Sequence, residues 1–255
     1  MRITLLGTGT STGVPMIACK CQTCTSPDPR DKRLRVSALI QTESTNIVID
    51  TSADFRQQML HASIRDLDAV LYTHHHTDHI AGFDDLRAFQ FLRRRMPMCY
   101  ALEETYRVIQ RTFPYAFGLV ENTGGGGVPN IPFTVITDKP FTVNDIEVIP
   151  IYIEHGSLTI AGYRIGNFAY LTDCNGIPRE SREKLLGLDT LILDGLRWQD
   201  HPSHFSIGES LEMVKLLRPK MTYLTHMNHD VLHARDEAQL PANVRLAYDG
   251  LTFEA

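Results

Sequence analysis

The segment that most constrains this chain is residues 73–79, which read Thr-His-His-His-Thr-Asp-His. It contains the pattern His-x-His-x-Asp-His and follows the apolar run 67–72, which is typical of a short buried strand. A stretch with helical periodicity follows it. Four side chains that can bind metals therefore share one strand-to-helix turn. Imidazoles mixed with a carboxylate favour Zn²⁺, Mn²⁺ or Fe²⁺ over Ca²⁺ or Mg²⁺.

One turn cannot aim all four of these side chains at a single point. His74 and His76 are two residues apart and leave the same face of a strand end, whereas Asp78 and His79 lie past the turn. The economical arrangement is two adjacent metals, each completed by ligands from distant sequence. A histidine cluster on the surface is the alternative, although an aspartate among the histidines is unusual on a solvated face.

Three later residues share the setting of this motif, because each follows an apolar strand-like run. They are His155, Asp173 and His226, after the runs 146–153, 168–172 and 221–225. Ligands at strand ends along one sheet edge would form a site on a rigid scaffold. Taken singly, each could instead be a turn former, a helix cap or an ordinary polar residue.

With these residues in place, the chain resembles the metallo-β-lactamase fold superfamily, which implies a single-domain α/β fold, an αββα sandwich. The resemblance implies one metal on His74, His76 and His155, and another on Asp78, His79 and His226. By the same resemblance Asp173 bridges the metals, and Asp50 supports the site from behind its ligands.

A narrower resemblance rests on residues 7–15 (Gly-Thr-Gly-Thr-Ser-Thr-Gly-Val-Pro), a Cys-x-Cys-x-x-Cys cluster and residues 225–229 (Thr-His-Met-Asn-His). These are similar to the branch that includes the phosphoribosyl cyclic phosphodiesterase of phosphonate breakdown. That resemblance implies a separate structural zinc on Cys19, Cys21, Cys24 and His229. The pyrroloquinoline-quinone biosynthesis branch has the same cysteine pattern, so the pattern does not fix the substrate.

The spacing of the cysteines agrees with a zinc site, because three thiols within six residues cannot pair into two disulfides. Three thiolates and one imidazole would close a tetrahedral zinc shell. His229 is the expected fourth ligand and His233 is the alternative. Reduced thiols without a metal are a further alternative.

Length and charge restrict the function further. The chain has 255 residues, and ligands spread from Asp50 to His226 must converge, so we expect one domain over 1–255 with a cysteine-rich, zinc-binding insertion at about 8–35. The net charge is −5 and no long basic run occurs, so nucleic acid is not an expected partner. Because there is no apolar run of about 18 residues, we expect no membrane span.

The start of the chain meets Gly7 too early for the core of a signal peptide, and the thiols look free, so we expect a cytoplasmic protein. The oligomeric state is open, with a homodimer as one option. Residues 124–127 are four consecutive glycines, which predict either a lid or a disordered loop.

Periodicity and turn residues also predict the main elements. Strands are expected at 2–7, 36–50 with a turn, 67–72, 132–137, 146–153, 160–165, 168–172 and 190–194. Helices are expected at 52–60, 80–93, 103–112, 178–186 and 206–217, with Ser52 and Ser206 as N-caps.

The favoured function is a dinuclear metal-dependent hydrolase, specifically a phosphodiesterase for a small, plausibly cyclic, phosphodiester. Its cofactors would be two catalytic divalent metals, Zn or Mn, and one structural Zn. The expected catalytic residues are Asp78 and His204, where His204 either protonates the leaving group, only positions phosphate, or is a plain surface histidine. The alternatives are an endonuclease of tRNA 3′-processing and an accessory protein of pyrroloquinoline-quinone biosynthesis.

Overall fold

Short apolar strands form two seven-stranded sheets in this computed structural model, which describes residues 1–120 and 130–255. The first sheet has the order β14-β1-β2-β3-β4-β5-β6 and the second has the order β13-β12-β11-β10-β9-β8-β7. Their bounds in chain order are β1 Arg2–Gly7, β2 Ser37–Gln41, β3 Asn46–Ile49, β4 Ala69–Leu71, β5 Met98–Leu102, β6 Phe133–Ile136, β7 Phe141–Val143, β8 Ile146–His155, β9 Leu158–Ile165, β10 Phe168–Leu171, β11 Thr190–Asp194, β12 Met221–Thr225, β13 Val244–Leu246 and β14 Thr252–Glu254.

The helices form the outer layers. They are α1 Phe55–His61, α2 Thr77–Ile80, α3 Arg87–Arg93, α4 Glu103–Thr112, α5 Arg179–Glu183, α6 Ile207–Leu217 and α7 His233–Glu237, with short 3-10 helices at Pro29–Asp31, Phe83–Leu86 and Pro114–Phe117. Helix α4 contacts β5 and β6 of the first sheet, and α6 contacts β11 and β12 of the second. The predicted αββα sandwich is therefore confirmed.

The strands of the first sheet are apolar at successive positions because both faces of that sheet are buried. Along β3, Ile47 and Ile49 pack in the core between the sheets, whereas Val48 packs in the cluster under the helices. Val70 in β4 repeats this alternation, with its two neighbours on the inner face. Period-two alternation thus distributes one apolar run between two cores.

The parallel strands place the candidate ligands. Strands β3 to β6 run parallel in the first sheet, and β10 to β13 run parallel in the second. Polar residues follow the carboxyl ends of β3, β4, β10 and β12, and β11 itself ends in an aspartate. The carboxyl ends of neighbouring parallel strands lie at one edge of a sheet, which is where binding sites form in such sheets.

The segment 8–35, predicted to be an insertion, is irregular except for one 3-10 turn, and a buried ion pair organises part of it. Arg33 Nη2 lies 3.1 Å from Asp31 Oδ1, and both side chains are buried. Arg33 also donates to the carbonyl of Val231 at 2.9 Å, and Asp31 accepts from the amide of His233 at 2.8 Å. The pair therefore ties the insertion to the segment after β12, independently of any metal.

Several predicted elements differ from the observed ones. The helix predicted at 80–93 is broken into α2, a 3-10 turn and α3. Ser52 does not cap α1, which begins at Phe55; its hydroxyl instead accepts from the amide of Asp54. Strands β5, β7, β13 and β14 and helix α7 were not predicted. The four glycines at 124–127 lie outside the described residues.

None of the helices in the two described ranges has the length and apolar character that a bilayer crossing requires.

Gly82 follows α2 and packs against the segment before α1. We predict that a side chain at this position would destabilise the protein. A Cβ there would collide with the carbonyl oxygen of Ser52 and lie 2.7 Å from Phe55 Cβ. Gly82→Ala should lower the free energy of unfolding in urea by about 1–3 kcal/mol. Gly208→Ala in α6 is the matched control, because its nearest neighbouring atom is 4.0 Å away, and it should not destabilise. Equal stability of both variants would contradict this packing.

Candidate metal centre

Three site residues that follow strand ends have left-handed backbones. Their φ angles are 61° for Asp50, 57° for Asp173 and 61° for His226. For non-glycine residues this conformation costs of the order of 1–3 kcal/mol each, and it persists only where the surroundings enforce it. The left-handed conformation turns the backbone sharply after each of these three strands. The same conformation after three strands of the two sheets indicates that these strand ends are shaped around the side chains of the site.

The first group of candidate ligands contains His74, His76 and His155, which offer nitrogen atoms within 4.8 Å of one another. His155 Nδ1 donates to the carbonyl of Ser203 at 2.8 Å, and its Nε2 lies 3.2 Å from His76 Nδ1. Burial and the nearby His79 charge lower the pKa of His74, and burial and His155 lower the pKa of His76. This group is therefore held as neutral imidazoles, the form that binds metals.

The second group contains Asp78, His79, Asp173 and His226, whose ligand atoms also lie within 4.8 Å of one another. Asp173 Oδ2 lies 3.1 Å from His226 Nε2 and 3.3 Å from His79 Nε2. Burial opposes ionisation of Asp173, but the imidazoles of His226 and His79 hold its pKa well below the usual value. Asp78 shows the same balance. Burial raises its pKa, but His79 and His226 lower it by more, so the net change is downward.

Asp173 belongs to the second group and also lies near the first. Its Oδ2 lies 4.0 Å from Nε2 of His74, a member of the first group, as well as close to the second group. A carboxylate between two sets of ligands is the arrangement that a bridge between two metals requires. The bridging role and the seven ligand assignments stay predictions, which this placement supports.

Hydrogen bonds behind the ligands fix which nitrogen faces the site. The carboxylate of Asp50 accepts from His79 Nδ1 at 2.7 Å and from the amide and hydroxyl of Thr73 at 2.8 Å each. Because the Thr73 hydroxyl donates to Asp50, it is free to accept from His74 Nδ1 at 3.1 Å. Both histidines are thereby left with Nε2 as the ligand atom. Asp50 thus lies where the resemblance implied, and Thr73 is an addition that the sequence did not indicate.

The donor set fits divalent metals. The buried Nε2 atoms of His74, His79 and His226 have no hydrogen-bond partner among the described residues. A buried polar atom without a partner is costly, and three that converge on carboxylates need an explanation. Imidazole nitrogens with carboxylate oxygens suit Zn²⁺ or Mn²⁺.

Asp194 is a site residue that sequence reasoning missed. Its Oδ2 accepts from His204 Nδ1 and from the Cys174 amide, each at 2.8 Å, and its Oδ1 lies 3.8 Å from His226 Nδ1. His204 is largely buried and lies with His155 and Asp173 within ligand distance. A signal existed, because Asp194 ends an apolar strand just as the predicted ligands follow theirs.

The three cysteines of residues 19–24 form a separate cluster with His229. The thiols of Cys19, Cys21 and Cys24 and a nitrogen of His229 lie within 4.8 Å of one another. His229 Nδ1 is 3.4 Å from both the Cys19 and the Cys21 sulfur. All five cysteines of the chain are free. The alternative ligand His233 is not in the cluster, because its Nε2 pairs with Glu237 at 3.2 Å.

Backbone amides also point at these sulfur atoms, as they do in thiolate sites. The amides of Met16, Cys21 and Cys24 each donate to a cysteine sulfur at 3.3 to 3.5 Å. Burial opposes ionisation of Cys21, yet the Cys24 amide and His229 lower its pKa to about 6. A thiolate at neutral pH is the form that binds zinc.

The two stacked sheets and the clustered imidazoles and carboxylates define a metal-dependent hydrolase of the metallo-β-lactamase fold. The beta-lactamase superfamily domain matches residues 45–227. A crystal structure of a diphosphatase from the PhnP family is 40% identical, with a TM-score of 0.92, and the match covers 99% of this chain and 97% of that one. The chain belongs to the beta-lactamase superfamily and, within it, to the PhnP family.

Two further proteins are similar over most of the chain. Octanoyltransferase of Porphyromonas gingivalis is 41% identical over 98% of this chain, but the chain spans only 51% of that protein's length. The Zn²⁺-bound structure of PqqB from Methylobacterium extorquens has a TM-score of 0.78 at 18% identity, covering 100% of both chains. At that identity the likeness shows the fold alone.

We predict that Asp173→Ala removes the link between the two ligand groups. Mutation of a residue that only supports a metal ligand typically lowers the metal affinity 10–100-fold. Loss of a ligand shared by both metals should therefore lower the affinity for one metal at least about 100-fold and abolish most turnover. Metal analysis after dialysis measures the loss. His75→Ala is the control, because His75 lies within the same motif but in neither group, and it should keep both metals. A fully active Asp173→Ala enzyme would refute the bridge.

We predict that Cys21→Ser lowers the zinc content by about one equivalent and leaves the catalytic metals less affected. Because metal binding is coupled to folding, the melting temperature should fall by at least about 4 °C. Cys99→Ala is the control: Cys99 is buried in the core, so its loss should destabilise the protein without removing zinc. A Cys21→Ser protein with its full zinc complement would show that the cluster is not a metal site.

Proposed function

We propose that this protein is a dinuclear metal-dependent phosphodiesterase that acts on a small phosphodiester. The observation that carries the proposal is the position of Asp173, whose carboxylate lies between two groups of imidazole ligands with His204 beside it. The likeness to a PhnP-family diphosphatase at 40% identity supports a substrate with a phosphoryl group.

The residues would divide the metals as the resemblance implies. His74, His76 and His155 would hold one metal, Asp78, His79 and His226 would hold the other, and Asp173 would contact both. Bound divalent metals would supply a Lewis acid for the phosphoryl oxygens and would lower the pKa of water to near neutrality. Zn and Mn both suit these donors, and a structural Zn is proposed for the cysteine cluster.

In this proposal His204 would protonate the leaving group. Asp194 holds its Nδ1–H at 2.8 Å, which leaves Nε2 on the side of the ring away from Asp194. An acid held by a carboxylate keeps its orientation during proton transfer, as in other catalytic pairs. The largely buried ring also limits competition from water.

Three other functions have less support. Processing of tRNA would require an RNA-binding surface, and the net charge of −5 disfavours one. An accessory role without a metal, considered for the pyrroloquinoline-quinone type, is disfavoured by the full set of seven candidate ligands. Octanoyl transfer by a thiol is disfavoured at Cys174, the cysteine beside the site, because burial raises its pKa well above the usual value.

The remaining features of the proposal concern the whole protein. The partner would be a small phosphodiester, the domain would extend over 1–255, and the location would be the cytoplasm, with a homodimer still open. A panel of phosphodiesters, assayed with metal-depleted protein reloaded with Zn²⁺ or Mn²⁺, tests the function directly. Turnover of none of them by protein that holds both metals would overturn the proposal.

We predict that His204→Ala lowers kcat by about 10²–10⁴-fold for a substrate with an alkoxide leaving group, because general acid catalysis is worth that much. The loss should be much smaller for a p-nitrophenyl ester, since p-nitrophenolate departs without a proton. Metal content should not change. Equal losses on both substrates would reject the acid role and leave His204 as a residue that positions phosphate.

A further inference from the structure

The loop that carries His204 is fastened to the metal centre on one side. Asn175 Nδ2 donates to the carbonyl of Pro202 at 2.9 Å, and His155 Nδ1 donates to the carbonyl of Ser203 at 2.8 Å. The amide of Phe205 donates to the carbonyl of Cys174 at 2.7 Å. The residues that fasten the loop therefore include a candidate ligand and neighbours of Asp173.

The other end of the loop is closed by Arg197. Its Nε and Nη2 each lie 3.3 Å from a loop carbonyl, those of Gln199 and Asp200, and its own carbonyl accepts from the amide of Ile207 at 2.7 Å. The guanidinium thus holds the loop together. A loop fixed at both ends presents its side chains in a defined position, which is what a substrate-contacting residue requires.

His201 is the residue that this loop presents next to His204. Its ring centroid lies 5.0 Å from that of His204, and its side chain is half-buried. The amide and hydroxyl of Ser203 lie 3.4 and 3.3 Å from His201 Nδ1, so that nitrogen is the acceptor. The proton of the neutral ring is then on Nε2, the ring nitrogen that Ser203 does not contact.

We propose that His201 binds the second phosphoryl group of a diphosphate ester through its Nε2–H, so that the enzyme favours diphosphate esters over the matching esters with one phosphoryl group. The inference rests on the proposed function. His155, Asp173 and His204 lie within ligand distance of one another, and His201 follows one ring farther out. A diphosphate places its second phosphorus one bridging oxygen beyond the first, so a first phosphorus beside His204 would leave the second one for the neighbouring ring of His201.

The reaction adds one water across the P–O–P bridge. The phosphorus at the metal centre gains a hydroxyl group, and its bond to the bridging oxygen breaks. The bridging oxygen keeps the electron pair of that bond and leaves with the second phosphoryl group, which His201 would hold. The remaining proton of the water is transferred to this phosphate or to solvent. No oxidant, reductant or further reactant is needed.

The test compares two ligands that differ only by the second phosphoryl group, AMP and the non-hydrolysable α,β-methylene-ADP. Calorimetry on the metal-loaded enzyme should show that His201→Ala weakens binding of α,β-methylene-ADP at least about tenfold, the usual cost of losing a hydrogen bond to a charged group. Binding of AMP and the metal content should not change. His201→Gln, which can place an amide N–H near the position of Nε2, should retain diphosphate binding within about threefold.

His61→Ala is the control, because this histidine ends α1 and lies in none of the ligand groups. Equal weakening of both ligands in His201→Ala, or no weakening of either, would overturn the role of His201. A wild-type enzyme that binds α,β-methylene-ADP no better than AMP would do the same. Failure of the proposed function is distinguishable, because it would appear as no turnover of any phosphodiester by the wild type.

Discussion

The constraint on which this structure depends is the burial of the Asp173 carboxylate together with the imidazoles around it. Its Oδ2 is 3.1 Å from His226 and 3.3 Å from His79, and these residues are almost wholly excluded from solvent. Burying polar atoms without partners is costly, so the convergence of these groups is accounted for by the divalent metals that we propose between them. The left-handed backbones of Asp50, Asp173 and His226 are part of the same cost.

A second layer of contacts converts this cluster into an ordered site. Asp50 orients His79, whereas Asp194 orients His204 and lies beside His226. Each of these aspartates lies at the carboxyl end of a strand that neighbours a ligand-bearing strand. Carboxylates behind imidazoles fix the tautomer and make the ligand nitrogen more basic, which supports both metal binding and proton donation.

Much of this arrangement could be predicted from the sequence, because ligands placed after apolar strands are a local pattern. The αββα fold, the grouping of the histidines and aspartates, and His229 as the partner of the thiols all followed from such patterns and from the family resemblance. Asp194 could not be separated from an ordinary turn residue, because its role depends on β11 lying between β10 and β12. Strand order is set by non-local packing, which also explains why β5 and the edge strands β7, β13 and β14 were missed.

The central claim is that Asp173 links two metals while the thiols hold a third. Anomalous diffraction from crystals grown with the metal-loaded protein, recorded on both sides of the zinc edge and the manganese edge, measures this directly. The account predicts two peaks that both contact the Asp173 carboxylate and a separate peak among Cys19, Cys21, Cys24 and His229. A single peak in the histidine site, or two peaks of which Asp173 touches only one, would contradict it.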